Sequence, residues 1–270
     1  MFLPLYDSNP LHRIPFQYVT VTIIGLCAAV FLWQQSLSPT SAQQAVLGLG
    51  VIPAVIFGNA ELAPDLVLVP DFLTLITSMF MHGGWMHLIG NMLFLWVLGD
   101  NVEDAMGHMR FVAFYTVCGV VAALAHAGLD PGSQTPMIGA SGAISGVIGA
   151  YILLHPKASI HTLVFSFVVA IPAWILLGMW IGLQVLNVVT GAGGNVAWWA
   201  HIGGAVAGII LIPLFKHRDV PLFDGPSSKV LNEMGATQKV TSVIASKPKK
   251  RLPRGITITP VARKARRPWR

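Results

Sequence analysis

Charge is scarce in this chain: 10% of its 270 residues are Asp, Glu, Lys or Arg, against roughly 25% in soluble domains, while 54% are hydrophobic. That balance excludes an ordinary soluble enzyme. The apolar residues collect in runs approaching the ~20 residues that cross a bilayer, the pattern of a polytopic membrane protein. Cysteine is nearly missing too. Cys27 and Cys118 lie in separate apolar runs without metal-type spacing, which argues for free buried thiols and against a disulfide or zinc framework. No internal repeat is evident. The first apolar run is too long for a signal-peptide core and lacks a small-residue cleavage site, so it reads as a transmembrane helix.

The expected fold class is an all-α polytopic membrane protein, a bundle of six transmembrane helices with a membrane-associated first outer loop. Residues 1–15 read as a short polar cytoplasmic start, and residues 16–215 as the membrane core. Its expected spans are 16–33, 85–99, 111–129, 141–154, 162–188 and 197–215. Between the first two, residues 34–72 are apolar but cut by Pro and Gly into pieces too short to cross, as expected of a segment lying in or on the outer leaflet. Pro172 should kink the fifth span or mark where its buried part starts. Residues 216–270 hold 14 of the 17 cations and 3 of the 11 anions, a net of +11, and read as a largely disordered basic tail.

The cations also set an orientation. Arg13, Arg110, Lys157 and the tail fall in the N-terminus, two alternate loops and the C-terminus, and the other three loops have none. Six spans then place every cation on one side, with both termini cytoplasmic. The first ends of spans two, four and six consequently face outward, and those three ends carry unusual polar residues: His82, His87 and Asn91 on the second, Ser141 on the fourth, His201 on the sixth.

Counting residues gives their depth. Ser141 is 16 residues from Lys157 and His201 is 15 from Lys216, which at about 1.5 Å per residue puts both roughly 23 Å above the inner boundary. His87 falls at a similar height. Asn91 is four residues on, one turn lower on the same helical face. Polar groups are costly in lipid unless they pair or work. A hydroxyl beside a neutral imidazole is the minimum for nucleophilic catalysis: the histidine takes the serine proton and returns it to a leaving amine. With no Asp or Glu at that depth in the helices, the expectation is a dyad of Ser141 and His201 without a carboxylate. His87, Asn91 and the backbone N–H of Ser141 are candidates to stabilise an oxyanion. Gly142, Gly146 and Gly149 on span four, and Gly204 and Gly208 on span six, would let the two helices approach closely enough for a hydrogen bond.

From His82 to Phe215 these residues resemble the rhomboid family of intramembrane serine proteases. The resemblance rests on His82, His87 and Asn91, then Gly139-Ala140-Ser141-Gly142, then Ala200-His201 with Gly204 and Gly208. Gly99-Asp100-Asn101-Val102-Glu103-Asp104, followed by Gly107, is similar to the family's stretch after the second helix. It implies Ser141 as nucleophile, His201 as general base, His87 and Asn91 as oxyanion donors, and supporting roles for His82, Gly139, Gly142 and Gly204. It further implies cleavage of transmembrane protein substrates within or beside their spans, no cofactor, and a mobile fifth span and last outer loop. Six spans with no added segment look like a bacterial inner-membrane member. Two departures stand out: the family's Trp-Arg pair in the first outer loop is absent, with Phe72-Leu73-Thr74 in the corresponding region, and an aromatic that some members carry four residues after the nucleophile is Ser145 here.

Other functions fit less well. A zinc site of His82, His87 and His201 is disfavoured by about 140° of rotation between the first two and by the lack of His-Glu-x-x-His, so no metal is expected. A transporter would need a charge at mid-membrane. A non-catalytic member that binds or escorts membrane helices would be expected to lack Ser141 or His201. The basic tail has a sufficient role as a positive-inside anchor, with contact to anionic lipid as the alternative. The cation distribution requires no nucleic-acid partner.

Overall fold

The computed structural model describes residues 2–191 and 196–223. The residues expected to form a basic tail lie outside the described residues from 224 onward, as do residues 192–195 of the last outer loop. The described part runs β1 (Phe2–Asp7), α1 (Tyr18–Ser36), α2 (Pro39–Leu49), α3 (Pro53–Ile56), a 3₁₀ turn (Pro64–Leu66), α4 (Asp71–Thr77), a second 3₁₀ turn (Ser78–Phe80), α5 (Trp85–Met106), α6 (His108–Leu129), α7 (Ser141–Leu154), β2 (Ser159–Val164), β3 (Phe167–Pro172), α8 (Ala173–Thr190) and α9 (Trp198–Phe215).

Helix α7 is the axis of the bundle. Ala143 through Tyr151 are all buried, because α5, α6, α8 and α9 pack around it. A helix buried on every side has no use for an amphipathic stripe, and its sequence is apolar or small throughout. Its closest neighbour is α9. A Cβ built on Gly204 would lie 2.1 Å from the Gly142 carbonyl oxygen, and one on Gly208 would lie 2.0 Å from that of Gly146. Only glycine permits backbones to touch in this way.

Among the described residues four helices, α1, α6, α8 and α9, are long and apolar enough to cross a membrane. A fifth crossing arises if Pro64–Phe80 and α5, bent by 82°, count as one. The 14 residues of α7 cover only about 21 Å. Leu32, Trp96, Leu124, Leu183, Ile210 and Leu214 lie exposed on five different helices, an apolar exterior suited to lipid. Residues 34–72 form short helices, as their Pro and Gly punctuation implies.

Two expectations need correction. The fifth span does not begin at residue 162: residues 159–172 form an antiparallel hairpin, and α8 starts at Ala173, with Pro172 as its N-cap residue. The class is therefore not strictly all-α. β1 pairs antiparallel with β2, giving a three-stranded sheet in the order β1-β2-β3. Residues 162–172 are rich in Val, Phe, Thr and Ile, which favour a pleated surface once a partner strand exists. Proline, with its fixed φ and no N–H, suits a helix start but not a helix interior.

The N-terminal segment is woven into the bundle. Asp104 accepts hydrogen bonds from the backbone N–H groups of His12, Arg13 and Ile14 (3.0, 2.6 and 2.8 Å). Helix α1 has no capping side chain of its own, and Glu103 of α5 takes that role. Its carboxylate accepts from the N–H groups of Val19 and Thr20 (3.0 and 2.8 Å), from the Thr20 hydroxyl (2.7 Å) and from His108 Nδ1 (2.6 Å). Two otherwise orphaned amides of the first turn are satisfied by another helix. In β1, Tyr151 O–H donates to Asp7, whose carboxyl is pushed up to about 6 by burial, a rise that this bond only partly offsets.

Candidate active site

The chain enters α7 through a constrained turn. Met137 exchanges both backbone hydrogen bonds with Val51 (2.7 and 3.0 Å), and the Gly139 N–H donates to the Ser78 carbonyl at 2.9 Å. Gly139 has φ +127°, and a Cβ there would lie 2.8 Å from the His87 ring. Both the torsion and the contact require glycine. Two residues on, Ser141 opens the helix.

Helix α9 brings His201 to it. The imidazole Nε2 lies 2.9 Å from Ser141 Oγ, within hydrogen-bond reach, and His201 is only 9% exposed. The glycine contacts between α7 and α9 hold the two backbones near enough for this bond to close. Gly142 has a second neighbour, since a Cβ there would meet Ala122 of α6 at 2.7 Å.

Helix α5 supplies the remaining residues. His87 lies on Gly139, with its Nδ1 accepting from the Gly83 N–H at 3.4 Å. Asn91 is buried, and its Nδ2 has no hydrogen-bond partner among the described residues. His82 is tied to α1: Gln34 Oε1 accepts from its backbone N–H (3.1 Å) and Gln34 Nε2 donates to its carbonyl (3.3 Å). Its ring packs edge-on against His87 at 5.1 Å, its Nδ1 donates to the Phe80 carbonyl at 3.3 Å, and its Nε2 has no partner among the described residues. Asn91 Nδ2 and His82 Nε2, and also Trp198 Nε1 at the start of α9, are thus buried without partners among the described residues, a costly arrangement unless something else occupies them. Among the described residues, no three His, Cys, Asp or Glu side chains are placed to hold a metal ion.

Sequence reasoning overlooked three side chains around His201. Gln184 of α8 places Oε1 2.8 Å from His201 Nδ1. Trp180, one turn earlier, packs on the imidazole with ring centroids 5.5 Å apart and planes at 38°. Trp198 meets it edge-on at 6.0 Å. Ser145, at the position where the resemblance led to the expectation of an aromatic, donates from its hydroxyl to the Ser141 carbonyl at 2.6 Å and faces Gly204. The aromatic support of His201 comes from α8 and α9. A Trp and a Gln four apart in an otherwise apolar run was the available signal.

Fold and site together define a membrane-embedded helical bundle that closes a serine-histidine pair between two glycine-faced helices. A Rhomboid domain model matches residues 70–218, more than half of the chain, and the chain belongs to the rhomboid family. It is an integral, multi-pass membrane protein. It is similar to RHOMBOID-like protein 12, mitochondrial, of Arabidopsis thaliana, with 29% identity over 207 residues, covering 66% of this chain and 60% of that protein. To Rhomboid protease AarA of Providencia stuartii it is 28% identical over 207 residues, covering 72% of this chain and 70% of the relative. To Rhomboid protease GluP of Bacillus subtilis it is 31% identical over 157 residues, 57% of this chain and 28% of the relative. Against the Arabidopsis and Bacillus proteins, the chain spans less than two thirds of the relative's length.

Proposed function

We propose that this protein is an intramembrane serine endopeptidase that cleaves transmembrane segments of membrane proteins. The observation that carries this reading is the 2.9 Å contact between Ser141 Oγ and His201 Nε2 at the meeting of α7 and α9. Two of its similar proteins are named proteases, and that activity agrees with the chemistry of the pair.

In this mechanism Ser141 Oγ attacks the scissile carbonyl while His201 Nε2 accepts its proton. The negative charge that develops on the carbonyl oxygen is stabilised by the Ser141 N–H, His87 and Asn91. Asn91 Nδ2, which has no partner among the described residues, is a donor with capacity for the oxyanion. His201 then returns the proton to the departing amine, leaving an acyl group on Ser141. A water, deprotonated by the same histidine, releases it. His82 braces His87, and Gly139 lets the His87 ring come close. No cofactor takes part.

The protein crosses the membrane six times in this reading, with α5 and α7 completing the set and both termini cytoplasmic, as the cation distribution supports. A bacterial inner membrane is the proposed location. Substrates are spans that unwind readily, because a peptide bond inside a stable helix is shielded from attack. The test is cleavage of a reporter with a glycine-containing transmembrane helix by purified protein in detergent, beside Ser141→Ala and His201→Ala. Product lost in both variants supports the protease. Equal product in all three overturns it, and reporter binding without product points to an escort of membrane helices.

A further inference from the structure

The hydrogen bond between serine and histidine is one link of a longer chain whose direction is set at its far end. Gln184 Nε2 donates to the Trp180 carbonyl at 2.9 Å. A carbonyl only accepts, so the amide group turned toward Trp180 is the NH₂ and the oxygen faces His201. That oxygen also only accepts, so His201 Nδ1, 2.8 Å away, carries a hydrogen. A neutral imidazole protonated at Nδ1 keeps its lone pair on Nε2, the nitrogen beside Ser141. The serine hydroxyl is therefore the donor, which is the arrangement that general-base catalysis needs. Gln184 is 5% exposed and His201 9%, so bulk water does not compete for these positions.

We infer that Gln184 is the positioning residue of this site: through Oε1 it holds His201 in the Nδ1–H tautomer and orients its ring toward Ser141, resting on the protease reading above. It does the work that a carboxylate does in a triad without placing a second ion in a buried layer. When the Ser141 proton moves to Nε2, the imidazolium still donates Nδ1–H to Gln184. That bond is stronger to a cation than to a neutral ring, so the amide favours the transition state over the resting state. Trp180, on the same face one turn before Gln184, braces the ring plane. One turn of α8 thus contributes both the plane and the edge contact of the base.

The test compares wild type with Gln184→Met, Gln184→Glu and Ser141→Ala, all as full-length protein in detergent. Cleavage kinetics across pH, the rate at which a fluorophosphonate labels Ser141, and Tm are measured together. Gln184→Met keeps the length and removes the acceptor. It is expected to lower kcat by about 10- to 100-fold with KM within about twofold, and to slow labelling by a similar factor at unchanged Tm. Gln184→Glu restores the acceptor with a charge. It should recover most of the activity at its own optimum, with the acidic limb of the rate profile moved to higher pH by about one unit or more. The inference is overturned if Gln184→Met retains wild-type kcat, if its loss lies wholly in KM or follows a fallen Tm, or if the Glu variant neither recovers activity nor shifts its acidic limb. Should Gln184→Met fail to fold, the Glu profile decides alone. A wild type that neither cleaves nor labels at Ser141 overturns the protease reading and this inference with it, whereas an active wild type matched by Gln184→Met removes only the inference.

Discussion

The molecule has two buried polar clusters, and they are built on opposite plans. At the C-terminal end of α5, the Glu103 carboxylate is fully enclosed and accepts from four donors, while Asp104 accepts from three backbone amides. Near the start of the same helix, Asn91 Nδ2 and His82 Nε2 are buried without a partner among the described residues. The first cluster gains by saturation: it ties the N-terminal segment and α1 to α5. The second leaves one amide donor, Asn91 Nδ2, and one imidazole acceptor, His82 Nε2 (its Nδ1 faces the Phe80 carbonyl), unpaired among the described residues. One helix thus carries a saturated polar anchor at one end and unpaired polar groups toward the other, and the difference separates polarity that holds a fold from polarity with bonding capacity to spare.

The comparison can be broken most forcefully at the reactive pair. Ser141→Ala and His201→Ala should each lower kcat by about 10⁴-fold or more, with little change in Tm, as read by reporter cleavage and thermal scanning in detergent. Glu103→Ala should do the reverse, costing about 3–5 kcal/mol of stability by stranding the α1 amides, visible as a large fall in Tm. If Glu103→Ala left Tm unchanged and removed activity alone, the two clusters would not be distinct in kind. Asn91→Ala should lower kcat by about 10²-fold with KM nearly constant, because it deletes a donor used only as charge develops.

The smallest effect concerns Asp7. Its carboxyl is pushed up to about 6 in the folded protein, so between about pH 4 and pH 6 the folded state holds a proton that the unfolded chain releases. Stability is therefore greatest below about pH 4 from this group and falls as pH rises through about 6, by about 1–2 kcal/mol after allowance for its partial exposure. Asp7→Asn should flatten that slope in a Tm-against-pH series. A Tm rising over the same window in wild type and flat in the variant would reverse the assignment.

The positions of Ser141 and His201 were legible because each sits at a helix start a countable distance from a cation, and because glycine faces announce a close helix pair. The sheet was not legible. β1 and β2 are separated by about 150 residues, and neither a proline-interrupted start nor a run of Val and Phe declares a partner that far away. That omission concealed Gln184 as well. The expected span from residue 162 would lift Gln184 about 33 Å, past the hydrocarbon core, whereas α8 beginning at Ala173 lifts it only about 17 Å, where it meets His201. Reading the residues of the hairpin as the start of a helix moved a key side chain out of the site.

The same sheet has a consequence in time. Leu3 pairs with Leu163, so β1 waits for a partner made 160 residues later. At about 5–20 residues per second that is an interval of roughly 8–30 s, during which α1, α5, α6 and α7 are all synthesised. Among the described elements β1 comes first and is one of the last that can be completed, and its closure marks the moment when the early and late helices are tied at the sheet into one unit.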